Sequence, residues 1–169
     1  MSSSPPTVRR ISWPAIIPQL LLVALLTLVY TYAGIGLPFF FAALTYSFIA
    51  MMLKKTIAKD HRQGIRFVMQ KQYPAAIPYF EKSIAFFERN KWIDEYRFIT
   101  LMSASSMRYR EMGLCNLAFC YSQMGDGEKA ILFYQRVLSE YPDNDLAVAG
   151  LNMLTSTNPS RDQTVPPLT

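Results

Sequence analysis

From Ile11 to Leu53 the chain carries no charged side chain, a stretch of 43 residues. About 18 apolar residues suffice for one membrane-crossing helix, so the run holds two. Gly34 and Gly36 lie in its middle and Pro38 follows. Glycine weakens a helix interior and proline suits a first helical turn, which predicts helices over residues 11–33 and 36–53 joined by a tight turn: a transmembrane hairpin. The second helix would be roughly 27 Å long at about 1.5 Å per residue, close to a hydrocarbon thickness of about 30 Å. A buried hairpin in a soluble core and a cleaved leader are the competing readings. The uncharged length argues against the first; Pro14, Pro18 and the second apolar segment argue against the second.

Beyond residue 53 the pattern changes to amphipathic helix. Ile57, His61, Gly64 and Val68 form one stripe, and no Pro-Gly punctuation separates them from the second span. A single unbroken helix from near Pro38 to near Lys71 is therefore expected. Tyr73-Pro74 starts the next helix, whose apolar face is Tyr73, Ala76, Ile77, Phe80, Ile84 and Phe87, with Pro78 removing one internal hydrogen bond. A helix over residues 103–124 presents Met107, Leu114, Leu117, Ala118, Tyr121 and Met124. Gly125-Asp126-Gly127 makes a turn with Asp126 as N-cap, and residues 128–141 carry Ala130, Ile131, Tyr134, Val137 and Leu138 on one face. Tyr141-Pro142 ends that helix. A last one spans about residues 145–155, with Leu146, Ala149 and Leu151 available for packing. The ends, residues 1–10 and 156–169, are polar and contain proline, as disordered tails do. The fold class is all-α.

Charge alters this picture through its placement. The net charge of +5 would fit a nucleic-acid binder. However, Arg9 and Arg10 precede the first span, and Lys54, Lys55, Lys59, Arg62, Arg66 and Lys71 follow the second, opposed only by Asp60. Basic residues at both outer ends of a hairpin follow the positive-inside rule. Both termini and the domain after the hairpin are then expected in the cytoplasm, with the basic cluster against membrane lipid and not nucleic acid. Cys115 and Cys120 form no CxxC and read as separate thiols in a reducing compartment. His61 is the one histidine. No catalytic motif, metal-ligand set or phosphate loop is visible, and the spans lack the ionisable groups of a transporter. No catalytic, cofactor or metal residue is assigned.

The spacing of small and aromatic residues is more specific. Leu114, Leu117, Ala118 and Tyr121 are followed by Ala130 twelve residues after Ala118, then Tyr134, then Pro142. Small residues at 118 and 130 let two helices approach, and the aromatics fill the space beside them. This pattern resembles the tetratricopeptide repeat, over residues 111–144. Gly64, Phe67, Ala76 and Phe80 keep the same spacing in a degenerate copy over residues 57–90, with Gln63 and Glu88 at the expected leucine and proline places. Residues 91–110 are an insert, containing Trp92, Tyr96, Phe98, Ile99, Leu101 and Met102, that covers core as a long loop or forms a lip on a binding surface. The repeat domain would span residues 54–155: two helix pairs and a capping helix over 145–155. Two pairs are short for such an array; the insert, the last helix or a second copy must supply the missing cover.

The resemblance implies a protein-recognition scaffold without catalysis. Its groove would be lined by His61, Ile65 and Met69 from the first pair and Met112, Cys115, Phe119 and Gln123 from the second, surfaces suited to an apolar or helical protein partner. The leading expectation is a membrane-anchored adapter. The alternative is a subunit or assembly factor of an integral membrane complex, its hairpin packing on partner helices, with Ala43 and Ser47 as a small-residue contact.

Overall fold

The computed structural model of the chain describes residues 16–103 and 105–156. These form nine helices: α1 Ile16–Tyr32, α2 Pro38–Ile57, α3 Lys59–Met69, α4 Tyr73–Arg89, α5 Lys91–Glu95, α6 Arg97–Thr100, α7 Tyr109–Gln123, α8 Gly127–Glu140 and α9 Asp145–Ser156. The expected tails at residues 1–10 and beyond 156, and the first part of the span at 11–33, lie outside the described residues.

Helices α1 and α2 pack on each other as a hairpin. The turn uses Gly34 at φ 71° and Leu37 at φ 59°, a left-handed conformation that glycine adopts freely and leucine does not. Pro38 opens α2. Tyr30 Oη and Thr45 Oγ1 lie 2.9 Å apart across the pair. Thr27, Thr31 and Ser47 return their hydroxyls to carbonyls four residues back, each at 2.8 Å, so these polar groups are satisfied within the helices. Ala42 and Ala50 are the buried residues of α2, while α1 has none. Ser47, named above with Ala43, is exposed. Among the described residues, α2 is the one helix long and apolar enough to cross a membrane by length and composition; α1 is apolar but shorter.

The expected continuous helix from Pro38 to Lys71 is interrupted. Ala58, at φ −95° and ψ 26°, ends α2 and precedes α3. Ala58 is itself buried, and three residues on, His61 begins the buried face His61, Gly64, Val68 of α3. Packing of that face sets the direction of α3 and overrides the helix preference of alanine.

Helices α3 and α4, then α7 and α8, form two adjacent pairs, with α4 against α7 joining them and α9 packed on α8. One core runs through both pairs and includes Val68, Ala76, Phe80, Ile84, Leu114, Leu117, Ala118, Tyr134, Val137 and Ala147. At Gly64 an added Cβ would lie 2.7 Å from the Phe80 ring, and at Gly113 it would lie 2.8 Å from Ile84. Helix α4 runs through Pro78 to Arg89. Helix α7 begins at Tyr109, later than the expected residue 103, and the insert forms two short helices, α5 and α6, with α6 packed against α1.

Gly64→Ala tests the first crossing. Alanine is better in a helix by about 1 kcal/mol, but overpacking against the fully buried Phe80 costs about 1–3 kcal/mol. The variant is expected to unfold at lower temperature than the parent. Gly127→Ala, with nothing within 4 Å of its Cβ, should not. Equal melting of Gly64→Ala and parent would contradict the close approach.

Candidate functional site: the faces of the second helix pair

Helix α7 is enclosed nearly all round: Glu111, Gly113 and every residue from Leu114 to Cys120 are buried. This revises the expected groove. His61, Cys115 and Phe119 are buried and offer no surface to a partner. His61 packs edge-on against Phe80 and Tyr109, with ring centroids at 5.6 and 5.3 Å, and Phe119 meets Tyr73 at 6.0 Å. Ile65 and Met112 are half-buried, and Ile65 packs on the core. Of the seven residues only Met69 and Gln123 are exposed.

The repeat-signature residues are brought together. Gly64, Ala76, Phe80, Leu114, Leu117, Ala118, Ala130 and Tyr134 are buried. Phe67 stacks on Tyr79 at 5.3 Å, and Tyr121 on Phe133 at 5.5 Å. Pro142 is exposed in the turn after α8.

A profile of the tetratricopeptide repeat family matches residues 112–144. That segment is a tetratricopeptide repeat. No curated protein and no solved structure matches the chain. The match covers the α7–α8 repeat alone; in the α3–α4 pair Gly64 lies against the Phe80 ring.

A cleft of about 460 Å³ opens at one end of the repeat, between the start of α7 and the α8–α9 turn. Its lining includes Met107, Arg108, Glu111, Tyr141, Asn144 and Leu146. The floor is a connected polar chain. Glu111 accepts from the Arg108 backbone N–H at 3.0 Å and from Asn144 Nδ2 at 2.7 Å. Asn144 Oδ1 in turn accepts from the Ala147 N–H at 2.8 Å, capping α9. Beside the cleft, Arg110 forms ion pairs with Glu88 of α4 and Glu140 of α8. On the far side of the α7 start, the buried Asp94 carboxylate accepts from the Tyr109 and Arg110 N–H groups at 2.6 and 2.9 Å. Burial raises its pKa although both donors and the nearby Arg97 and Arg108 pull it down. The buried oxygens of Asp94, Glu111 and Asn144 each have a hydrogen-bonding task in the fold.

The sequence reading missed Asp94, Glu111 and Asn144. Asn144 just before a helix is a local N-cap signal. Glu111 stands three residues after the N-cap Arg108, the distance of a capping box, but arginine replaces the usual hydroxyl residue. The thiols are inert nucleophiles: burial first, then Glu111, pushes Cys115 up to about 12, and burial does the same to Cys120. Among the described residues no group of three or more His, Cys, Asp or Glu could hold a metal ion.

His61 carries a pH signature. Burial lowers its pKa from 6.5 to about 4, and Nδ1 is buried without a hydrogen-bond partner. At pH 7 the imidazole is neutral folded and unfolded. As pH falls below 6.5 the unfolded chain takes up a proton that the folded one refuses, so stability is lost down to about pH 4. The loss at pH 5 is on the order of 2 kcal/mol. His61→Phe should reduce the difference in unfolding free energy between pH 7 and pH 5 by that amount, measured by denaturant titration in detergent. An unchanged difference would place His61 in contact with water. Asp94→Ala should destabilise by about 0.5–2 kcal/mol at pH 7, the usual cost of losing a helix cap, read in the same titration.

Proposed function

We propose that this chain is a membrane-anchored tetratricopeptide scaffold that holds a protein partner at the cytoplasmic face of a membrane, without catalysing a reaction. The repeat at residues 112–144 supports the interaction role, since repeats of this family are protein-binding adapters in general. The observation that carries the anchor is the outer surface of the hairpin. Leu20, Leu21, Leu25 and Leu28 of α1 and Phe39, Phe40, Leu44 and Phe48 of α2 are exposed. A soluble protein rarely leaves an apolar surface of that extent uncovered, whereas a lipid core covers it. The repeat pairs, by contrast, bury their aromatics against each other.

The basic residues Lys54 and Lys55 in the last turn of α2 support placing that end, and the repeat domain after it, on the cytoplasmic side. The alternative role, a subunit or assembly factor of an integral membrane complex, uses the same exposed hairpin surface against partner helices in place of lipid.

Three measurements test this. Native membranes washed at alkaline pH should retain the protein; release into the supernatant would refute the anchor. Single cysteines replacing Ser3 and Ser160 should react with a membrane-impermeant thiol reagent only after the membrane is opened. The buried Cys115 and Cys120 give little background. Labelling of both from outside would reverse the topology. Crosslinking in native membranes, with capture by the full-length chain compared with residues 59–169, separates the two roles: the adapter keeps its partner without the hairpin, the complex subunit does not.

A further inference from the structure

Helices α5 and α6 reverse the usual distribution of polar and apolar groups. Trp92 in α5, Tyr96 in the break between the two helices and Ile99 in α6 are 60, 52 and 57% exposed. Two of the four charged groups of the segment, Asp94 and Arg97, turn into the protein, while Lys91 and Glu95 stay exposed. Asp94 is buried and holds the start of α7 through two backbone N–H groups. Arg97 donates to the carbonyl oxygens of Ser105, Ser106 and Asp94. Thr100 Oγ1 donates to the Ile93 carbonyl at 2.7 Å, and Leu101 and Met102, just after α6, are buried. Asp94 thus ties the insert to the start of α7 while Trp92, Tyr96 and Ile99 are left outside.

The position of this face indicates what covers it. Helix α6 packs against α1, the first helix of the apolar hairpin. The exposed Lys55, Lys59 and Arg62 follow at the end of α2 and the start of α3. Within α5 and α6 Lys91 and Arg97 balance Asp94 and Glu95, so the two short helices are neutral and the α2–α3 join adds positive charge nearby. Tryptophan and tyrosine have an apolar ring and a polar handle, which places them at a membrane–water interface. Basic residues nearby favour an anionic headgroup layer.

We propose that α5–α6 is a membrane-interface foot: Trp92, Tyr96 and Ile99 dip into the headgroup region of an anionic bilayer beside α1. The proposal rests on the anchor reading above. It gives the repeat domain a second attachment to the bilayer besides the α2–α3 join.

The test uses the full-length chain in vesicles of neutral lipid mixed with anionic lipid. The sequence has two tryptophans, so Trp13→Phe leaves Trp92 as the single indole. The expected result has three parts: the protein survives an alkaline wash, Trp92 emission is blue-shifted and shielded from acrylamide, and lipids brominated near the headgroup quench it more than lipids brominated near the chain end. Retention in washed vesicles with Trp92 open to acrylamide and not quenched by brominated lipid overturns the foot and leaves the anchor standing. Blue-shifted emission without lipid quenching also overturns it, since protein then covers the face. Release by the wash overturns the anchor and the foot together. A nitroxide on Ile99→Cys, for which the buried Cys115 and Cys120 do not compete, gives an independent reading. A depth of roughly 5–10 Å within the headgroup–acyl boundary supports the foot, and a fully aqueous label overturns it.

Discussion

The packing of α7 among four neighbouring helices is the constraint on which the rest of the fold depends. Helix α7 lies between α4 and α8 and also touches α3 and α9, so it can have no polar face of ordinary width. Such a helix fits only if small residues stand where a neighbour's bulk arrives. Gly113 does this for Ile84, and in the adjoining crossings Gly64 receives Phe80 and Gly150 receives Tyr134. In each case a Cβ would fall under 3 Å from the opposing side chain. The Phe80 and Tyr134 rings thereby act as spacers of fixed size, and their burial adds to the apolar surface that these short helices remove from water.

Enclosing α7 creates a second requirement, because the first N–H groups of a helix need acceptors. At α7 the protein supplies them. Asp94 reaches across from α5 to the N–H groups of Tyr109 and Arg110, and Glu111 turns back to the N–H of Arg108. Glu111 also holds Asn144, which caps α9. The starts of α7 and α9 are therefore tied into one polar chain, with the insert attached through Asp94. Removing one member would leave a partner buried and unsatisfied, a cost of about 1–3 kcal/mol, which is why these carboxylates are structural even though they line or adjoin a cleft.

The part of this legible in the sequence is the part written in local spacing. Ala118, Ala130, Tyr134 and Pro142 sit within one helix pair, so their intervals report directly on one crossing. The interruption at Ala58 could not be read, since alanine is the best helix former and the break comes from the packing of His61, Gly64 and Val68 on α4 and α7. The groove was misread for a related reason: periodicity shows that Cys115 and Phe119 share a helix with apolar neighbours, but not that other helices close over them. Asp94 was invisible because its task lies 15 residues away in sequence. Asn144 and Glu111 were visible in principle, as short-range caps.

The broken helix also changes how orientation is transmitted along the chain. A continuous α2–α3 rod would have set the tilt of the repeat domain by backbone hydrogen bonding alone. With the rod interrupted at Ala58, the angle is set by side-chain packing: the buried Ala58 at the join, the α3 face against Phe80 and Tyr109, and α6 seated on α1. Two contacts on different hairpin helices constrain rotation about either one. The insert that lengthens the interval between the two repeat pairs thus does three things with 20 or so residues: its carboxylate caps α7, its backbone carbonyls hold Arg97, and its apolar side meets the hairpin. Those roles account for the inward turn of Asp94 and Arg97 in this short segment.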